Sequence, residues 1–334
     1  MRFLYGFLGM TVMLVAAYLL GPKPKKPVYS SSLPSVPGTV EGLSEYVRSR
    51  ESKLRIKPEN EARIIWANDS AKARTPYSVV YLHGFTASQE EGDPIHMNFA
   101  DAFGCNLYLS RLAEHGLVTE EPLLELTADK YWESAKEALA IGTRLGQKVI
   151  LMGTSTGGTN ALQLAAAFPD KVQGLILLSP NIEIFDPNAP ILNNHWGLQA
   201  ARLVKGSDYA MSSDQSDTYK KYWYPRYRLE GVVALQEMIE TTMNEQTFAK
   251  VKAPVLMMYY YRDAVHQDSV VKVSAMNRMF RRLGTPDAAK REVAIPGAGD
   301  HVIGSYLKSM DLSTVQREAL RFGVEILGMN TEGK

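Results

Sequence analysis

The chain has 334 residues, 45% of them hydrophobic and 22% charged, which suits one large α/β domain with an insertion, or two smaller domains, around an extensive core. With 37 Lys and Arg against 36 Asp and Glu, the net charge of +1 gives no electrostatic footprint for nucleic acid, and none is expected as a partner. Cys105 is the only cysteine, so an intrachain disulfide and a cysteine-based metal cluster are both excluded.

In chain order, the first feature is the uncharged apolar run "FLYGFLGMTVMLVAAYLL", Phe3 to Leu20, followed by "GPKPKKP". As a helix it would be about 27 Å long, close to the thickness of a bilayer's hydrocarbon core. Residues 1–21 are therefore expected to be a hydrophobic anchor or signal that makes a membrane one of the partners. An uncleaved single span is preferred, because cleavage after Val15-Ala16-Ala17 would leave Tyr18-Leu19-Leu20 at the new terminus. The alternative is a secreted or periplasmic protein. Lys23, Lys25 and Lys26 outnumber Arg2 and favour a cytoplasmic bulk, whereas signal-like anchors of this layout also translocate their C-terminal domains, so the face stays open. Residues 22–38, rich in Pro, Ser and Lys, read as an extended tether. The main domain spans 39–334, with no internal repeat.

From Arg63 onward, strand-like runs alternate with helical patterns. "YSVVYLHG" ends in Gly84, a helix is expected in the Pro94 to Gly104 region, and "CNLYLSRL" follows. "TADKYWESAKEALAIGTRLG" has apolar residues at helical spacing, with Thr127 as N-cap and Gly146 as C-cap. "KVILMG", an alanine-rich helix up to Phe168, and "VQGLILLSP" come next. "APVLMMYYYRD" and "REVAIPGAGDH" add two strands with a helix between them, and a last helix starts near Asp311. This rhythm predicts an α/β fold, a mostly parallel sheet with helices on both faces. Residues 181–250 hold no strand-like run and read as a mostly helical cap, inserted over the sheet's C-terminal edge where open α/β folds bind ligands.

In "VILMGTSTGG", Ser155 sits where a buried strand turns sharply into a helix. Flanking glycines keep side chains out of the turn, and the helix N-terminus beside the hydroxyl favours developing negative charge. Ser155 is the candidate nucleophile. His301, in a glycine-containing loop after the last strand, falls where a base should follow. Asp263 ends "PVLMMYYYRD" and is the candidate carboxylate partner, while Asp268 is expected mainly to start the next helix as an N-cap. Asp300 is poorly placed to orient the adjacent ring. His83 is expected to shape a backbone turn, and His96, His115, His195 and His266 to serve surface or packing roles. The backbone N–H groups of Thr156 and Phe85 are the candidate oxyanion donors.

With "HGFTAS", "GTSTGG", "YYRDAV" and "GAGDHVI" in this order, the chain from Arg63 to Leu327 resembles the α/β-hydrolase superfamily, in its carboxylesterase, monoacylglycerol-lipase and serine-aminopeptidase-like branch. The resemblance implies the same assignment: Ser155 as nucleophile, Asp263 and His301 as its partners, Phe85 and Thr156 as oxyanion donors, and no metal or organic cofactor. Two departures stand out. Relatives often carry Pro-Arg-Leu-Pro-Gly-His-Gly where this chain has "SRLAEHG", and a glycine before the acid where it has Tyr260 and Tyr261. The expected activity is cleavage of carboxylic esters, including lipid-like ones, with a small acyl ester as substrate. The cap's Phe185, Trp196, Tyr209, Tyr219, Tyr222, Trp223, Tyr224 and Tyr227 suit an apolar group, or are simply the cap's own core. A peptidase would use Glu237, Glu240 and Glu245 to hold an amine, unless they form a solvated helix face. A non-catalytic, membrane-tethered binding protein is the alternative from another class.

Overall fold

The structure, a computed structural model, describes residues 2–331. Met1 and residues 332–334, the outer ends of the expected N-terminal segment and main domain, lie outside them. The strands are β1 (Arg63–Ile65), β2 (Thr75–Leu82), β3 (Asn106–Leu109), β4 (Gly146–Thr154), β5 (Val172–Leu178), β6 (Tyr209–Met211), β7 (Arg226–Arg228), β8 (Val255–Tyr259) and β9 (Lys290–Ala294). Seven of them form one sheet in the order β1-β3-β2-β4-β5-β8-β9. β1 runs antiparallel to β3 at one edge, and every other pairing in this sheet is parallel. Strands buried on both faces show no polar alternation, which is why β5 from Gly174 onward and β8 read as apolar runs.

Successive side chains leave a strand on opposite faces, so the same strands feed two cores. Leu151, Leu175 and Met257 pack on one side with Leu139 of the helix Ala128–Leu145. Ile150, Ile176 and Leu256 pack on the other with Phe322 of the helix Leu312–Glu325. The helix signals act as expected: the Thr127 hydroxyl accepts from the Lys130 N–H at 3.2 Å, and the Asp311 carboxylate from the Thr314 N–H at 3.1 Å.

The insertion contains the helices Gly197–Lys205, Asp217–Tyr222, Leu229–Thr242 and Glu245–Lys250. It also contains an antiparallel ribbon of β6 and β7, where no strand is expected from the sequence. Three-residue strands are too short to carry a period, so nothing in the composition marks them. The cap aromatics divide: Tyr222, Trp223 and Tyr224 are buried, whereas Phe185 and Trp196 are exposed.

The N-terminal segment is bonded to the rest of the molecule. The apolar run does form a helix, Arg2–Leu19, with exposed Phe7, Leu8, Met13 and Leu14. Among the described residues no helix is long and apolar enough to cross a membrane. The helix end is joined to the cap, with Trp196 Nε1 donating to the Ala17 carbonyl at 3.1 Å. Within residues 22–38, Val28, Ser30 and Ser32 bond to the helix Ala128–Leu145. The Val28 N–H donates to Asp129, Trp132 Nε1 donates to the Ser30 carbonyl at 2.8 Å, and the buried Lys136 ammonium donates to the Ser32 carbonyl at 2.8 Å.

Candidate active site

β4 ends at Thr154, and Ser155 follows with φ 52° and ψ −118°, a backbone conformation that an L-residue adopts only under strain of roughly 1–3 kcal/mol. The surroundings hold it there. Its N–H donates to the Leu178 carbonyl at 2.9 Å, and its carbonyl accepts from Gly158 and Asn181, both at 2.9 Å. Glycine is required nearby for want of space: a Cβ on Gly157 would lie 1.8 Å from the Leu82 carbonyl oxygen, and one on Gly153 would lie 2.5 Å from the Gly157 carbonyl carbon. The turn delivers Ser155 to the wall of a cavity of about 400 Å³ beneath the cap, at the N-terminus of the helix Thr156–Ala167.

His301 lines the same cavity. Its Nδ1 is 2.6 Å from Asp268 Oδ2, and its buried Nε2 has no partner among the described residues. The carboxylate partner expected at Asp263 is therefore corrected to Asp268. Beyond β8 the chain runs out and returns as a small hairpin: Tyr261 pairs with Gln267, and the Arg262 N–H donates to the His266 carbonyl at 2.9 Å. Asp263 stands in the exposed outer part, where it accepts from the His266 N–H at 2.8 Å and faces the His266 ring at 3.0 Å. Those bonds hold its carboxyl down at about 2. Asp268 lies at the base, its own N–H donating to the Tyr260 carbonyl, which returns it to the strand's edge. Nor is Asp268 a helix N-cap: the next helix starts at Val273, and Asp268 Oδ1 accepts from the N–H groups of Val270 and Val271 at 2.9 and 3.0 Å. Those two bonds orient the carboxyl so that Oδ2 meets the ring. Burial works against charge on His301, but Asp268, with Glu91 and Asp300 behind it, outweighs burial and raises the imidazole above its ordinary pKa.

The loop after β2 supplies the second set of amides. The Gly84 N–H is taken by Glu91, the Thr86 N–H by His115 Nε2 at 3.1 Å, and the Ala87 N–H by the Gly84 carbonyl at 3.3 Å. Among the described residues this leaves the Phe85 N–H without a partner. The Thr156 N–H, in the first turn of its helix, is likewise free. Both residues line the cavity with Ser155. His83 shapes the turn as expected, with Nδ1 on the Gly84 carbonyl and Nε2 accepting from the Leu112 N–H. Burial lowers both His83 and His115 below the usual imidazole range, so each is neutral and can accept an amide proton. His115 belongs to "SRLAEHG", so that departure is part of the loop's support.

Glu91 has no place in the sequence reading. It is buried, it lines the cavity, and burial pushes its carboxyl up to about 7. In "SQEEGD" it looks like one of several solvated acids, and no spacing sets it apart. The cavity has two kinds of wall. Phe85, Ile184, Tyr227 and Leu235 pack into the core beneath the cap. Around Tyr219 and Trp223, which stack at 5.3 Å, lie the polar groups Glu91, Ser212, Asp214 and Lys308, the last two paired at 2.5 Å. Glu237, Glu240 and Glu245 do not line it.

A mostly parallel sheet wrapped by helices, with a strained serine turn at its C-terminal edge and a helical insertion above, defines an α/β-hydrolase fold. The family described as serine aminopeptidase, S33, matches residues 129–298, just over half of the chain, and the chain belongs to that family. No curated protein sequence matches the chain. Among solved structures it is similar to one reported for metagenome-derived lipolytic enzymes, with a TM-score of 0.64 and 19% identity over 80% of this chain and 98% of that one. Est1E from Butyrivibrio proteoclasticus with ferulic acid bound gives a TM-score of 0.53 and 18% identity, over 80% and 95%. The monoacylglycerol lipase of Paleococcus ferrophilus gives 0.53 and 15%, over 78% and 98%. These similarities show the shared fold.

Proposed function

We propose that the protein is a serine hydrolase that cleaves carboxylic esters through an acyl-enzyme. His301 Nε2 takes the Ser155 proton as the hydroxyl attacks the ester carbonyl, and Asp268 stabilises the imidazolium that results. The N–H groups of Phe85 and Thr156 hold the oxyanion of the tetrahedral intermediate. The imidazolium then protonates the departing alcohol, and water, deprotonated by the same ring, hydrolyses the acyl-enzyme. The observation that carries this reading is the ring of His301, fixed by Asp268 on one nitrogen and left open on the other, in the cavity that Ser155 also lines.

The apolar wall supports an apolar acyl group. A volume of about 400 Å³ lies at the lower end of the roughly 300–1,000 Å³ usual for ligand pockets, so short and medium acyl chains fit this reading best. Amine capture by the cap is disfavoured, because Glu240 bonds to Asn193 and Gln236, and none of the three cap glutamates lines the cavity. The test is hydrolysis of p-nitrophenyl esters from acetate to palmitate, with Ser155→Ala alongside. The expected result is turnover that declines toward palmitate and falls about 10³-fold or more in the mutant. A protein that turns over none of the esters and does not react with a fluorophosphonate would instead be a binding module.

A further inference from the structure

Glu91 is the one buried carboxylate of the cavity wall that the proposed mechanism leaves without a task. Its Oε2 accepts the Gly84 N–H. Gly84 is confined between that carboxylate and the nucleophile turn: a Cβ there would lie 2.7 Å from Glu91 Oε1 and 3.1 Å from the Ser155 Cβ. The other side of the same residue is also held, since the Gly84 carbonyl accepts from the Ala87 N–H at 3.3 Å and faces His83 Nδ1 at 2.9 Å. The next amide in the chain is the free N–H of Phe85.

We propose that Glu91 is a positioning residue for the oxyanion hole: by accepting the Gly84 N–H it fixes the turn that aims the Phe85 N–H at the substrate carbonyl oxygen. This rests on the serine hydrolase reading above. Burying a carboxyl is costly unless its oxygens are hydrogen-bonded, and here the Gly84 N–H supplies such a bond. The groups around it come from several elements. His301 and Asp300 face it from the loop after β9, Tyr81 from β2, Tyr131 from the helix Ala128–Leu145, and Tyr219 and Trp223 from the cap. Of these, His301 and Trp223 favour the carboxylate, Asp300 opposes it, and the carboxylate in turn favours the His301 imidazolium.

Two conservative variants separate aim from charge. Glu91→Gln keeps length and an acceptor oxygen but removes the charge, whereas Glu91→Asp keeps the charge and withdraws it by one methylene from Gly84. Measured with p-nitrophenyl acetate and by the rate of fluorophosphonate labelling, E91D is expected to lose kcat and labelling rate at least about tenfold, with KM changed less than about threefold. E91Q is expected to retain about tenfold more kcat than E91D at alkaline pH. The acid limb of its kcat/KM profile moves to lower pH, because the His301 imidazolium has lost a neighbouring anion. Wild-type kcat in E91D, or E91Q falling as far as E91D, overturns the proposal while leaving the hydrolase reading intact. A wild-type protein that neither labels nor turns over ester overturns both.

Discussion

The turn after β4 and the loop after β8 both leave the C-terminal edge of a parallel strand; one delivers Ser155 to the cavity, the other delivers Asp268 to the His301 ring on its wall. They do so by different physics. At Ser155 the constraint is steric and local: five residues, three of them unable to carry a larger side chain or a relaxed backbone, leave a single path. At Asp268 the constraint is a hydrogen-bonded return over nine residues, from the Tyr260 carbonyl out to Asp263 and back to the Asp268 N–H. Steric necessity writes itself into residue types, whereas a returning loop hides the partner behind Asp263, the aspartate nearer the strand end.

Exchanging each aspartate for its amide puts that difference to its sharpest test. Asp268→Asn is expected to lower kcat about 10³- to 10⁴-fold, since the amide favours the wrong imidazole tautomer. Stopped assays on ester or, for slow variants, active-site titration would measure it. If Asp268→Asn stays near wild-type rates, the geometric partner is not the functional one. The local character of the serine turn is tested by Gly157→Ala. Its methyl meets the Leu82 carbonyl at 1.8 Å, and a loss of about 3 kcal/mol or more in urea unfolding is expected. A variant that unfolds at the wild-type midpoint would remove the steric account. The smallest effect belongs to Asp263→Asn. Its carboxylate is exposed and bound only within its own hairpin, so kcat is expected to stay within about threefold.

The sheet, both faces of helices and the serine turn are legible in the sequence because each rests on a pattern: apolar runs, helical spacing with caps, glycines flanking a serine. The place of the Phe85 and Thr156 amides at the cavity is legible because a backbone group follows from the position of a turn, whatever the side chain. Three features are not. β6 and β7 are too short to show alternation. Asp268 is hidden by a hairpin whose closure depends on backbone bonds rather than on residue type. Glu91 is hidden because its burial is a product of the fold: the loop after β2, the cap's Trp223 and the His301 loop close over it from three distant parts of the chain. The stretch 22–38 is hard to read for a related reason, since Pro, Ser and Lys describe an extended tether by composition, yet backbone groups and the Ser30 hydroxyl bind it down.

That last binding fixes where the folded unit begins. Lys136 sits inside the protein with its ammonium held by the Ser30 hydroxyl, the Ser32 carbonyl and Glu133. Removing everything before Gly38 would take away two of those three partners and strip the lid from Trp132, so a shortened gene starting at residue 39 would express a damaged protein. One starting at Lys26, just ahead of the Val28 N–H that grips Asp129, keeps the clasp whole. The useful boundary for preparing this protein lies near Lys26, beyond the first helix and thirteen residues earlier than composition suggests.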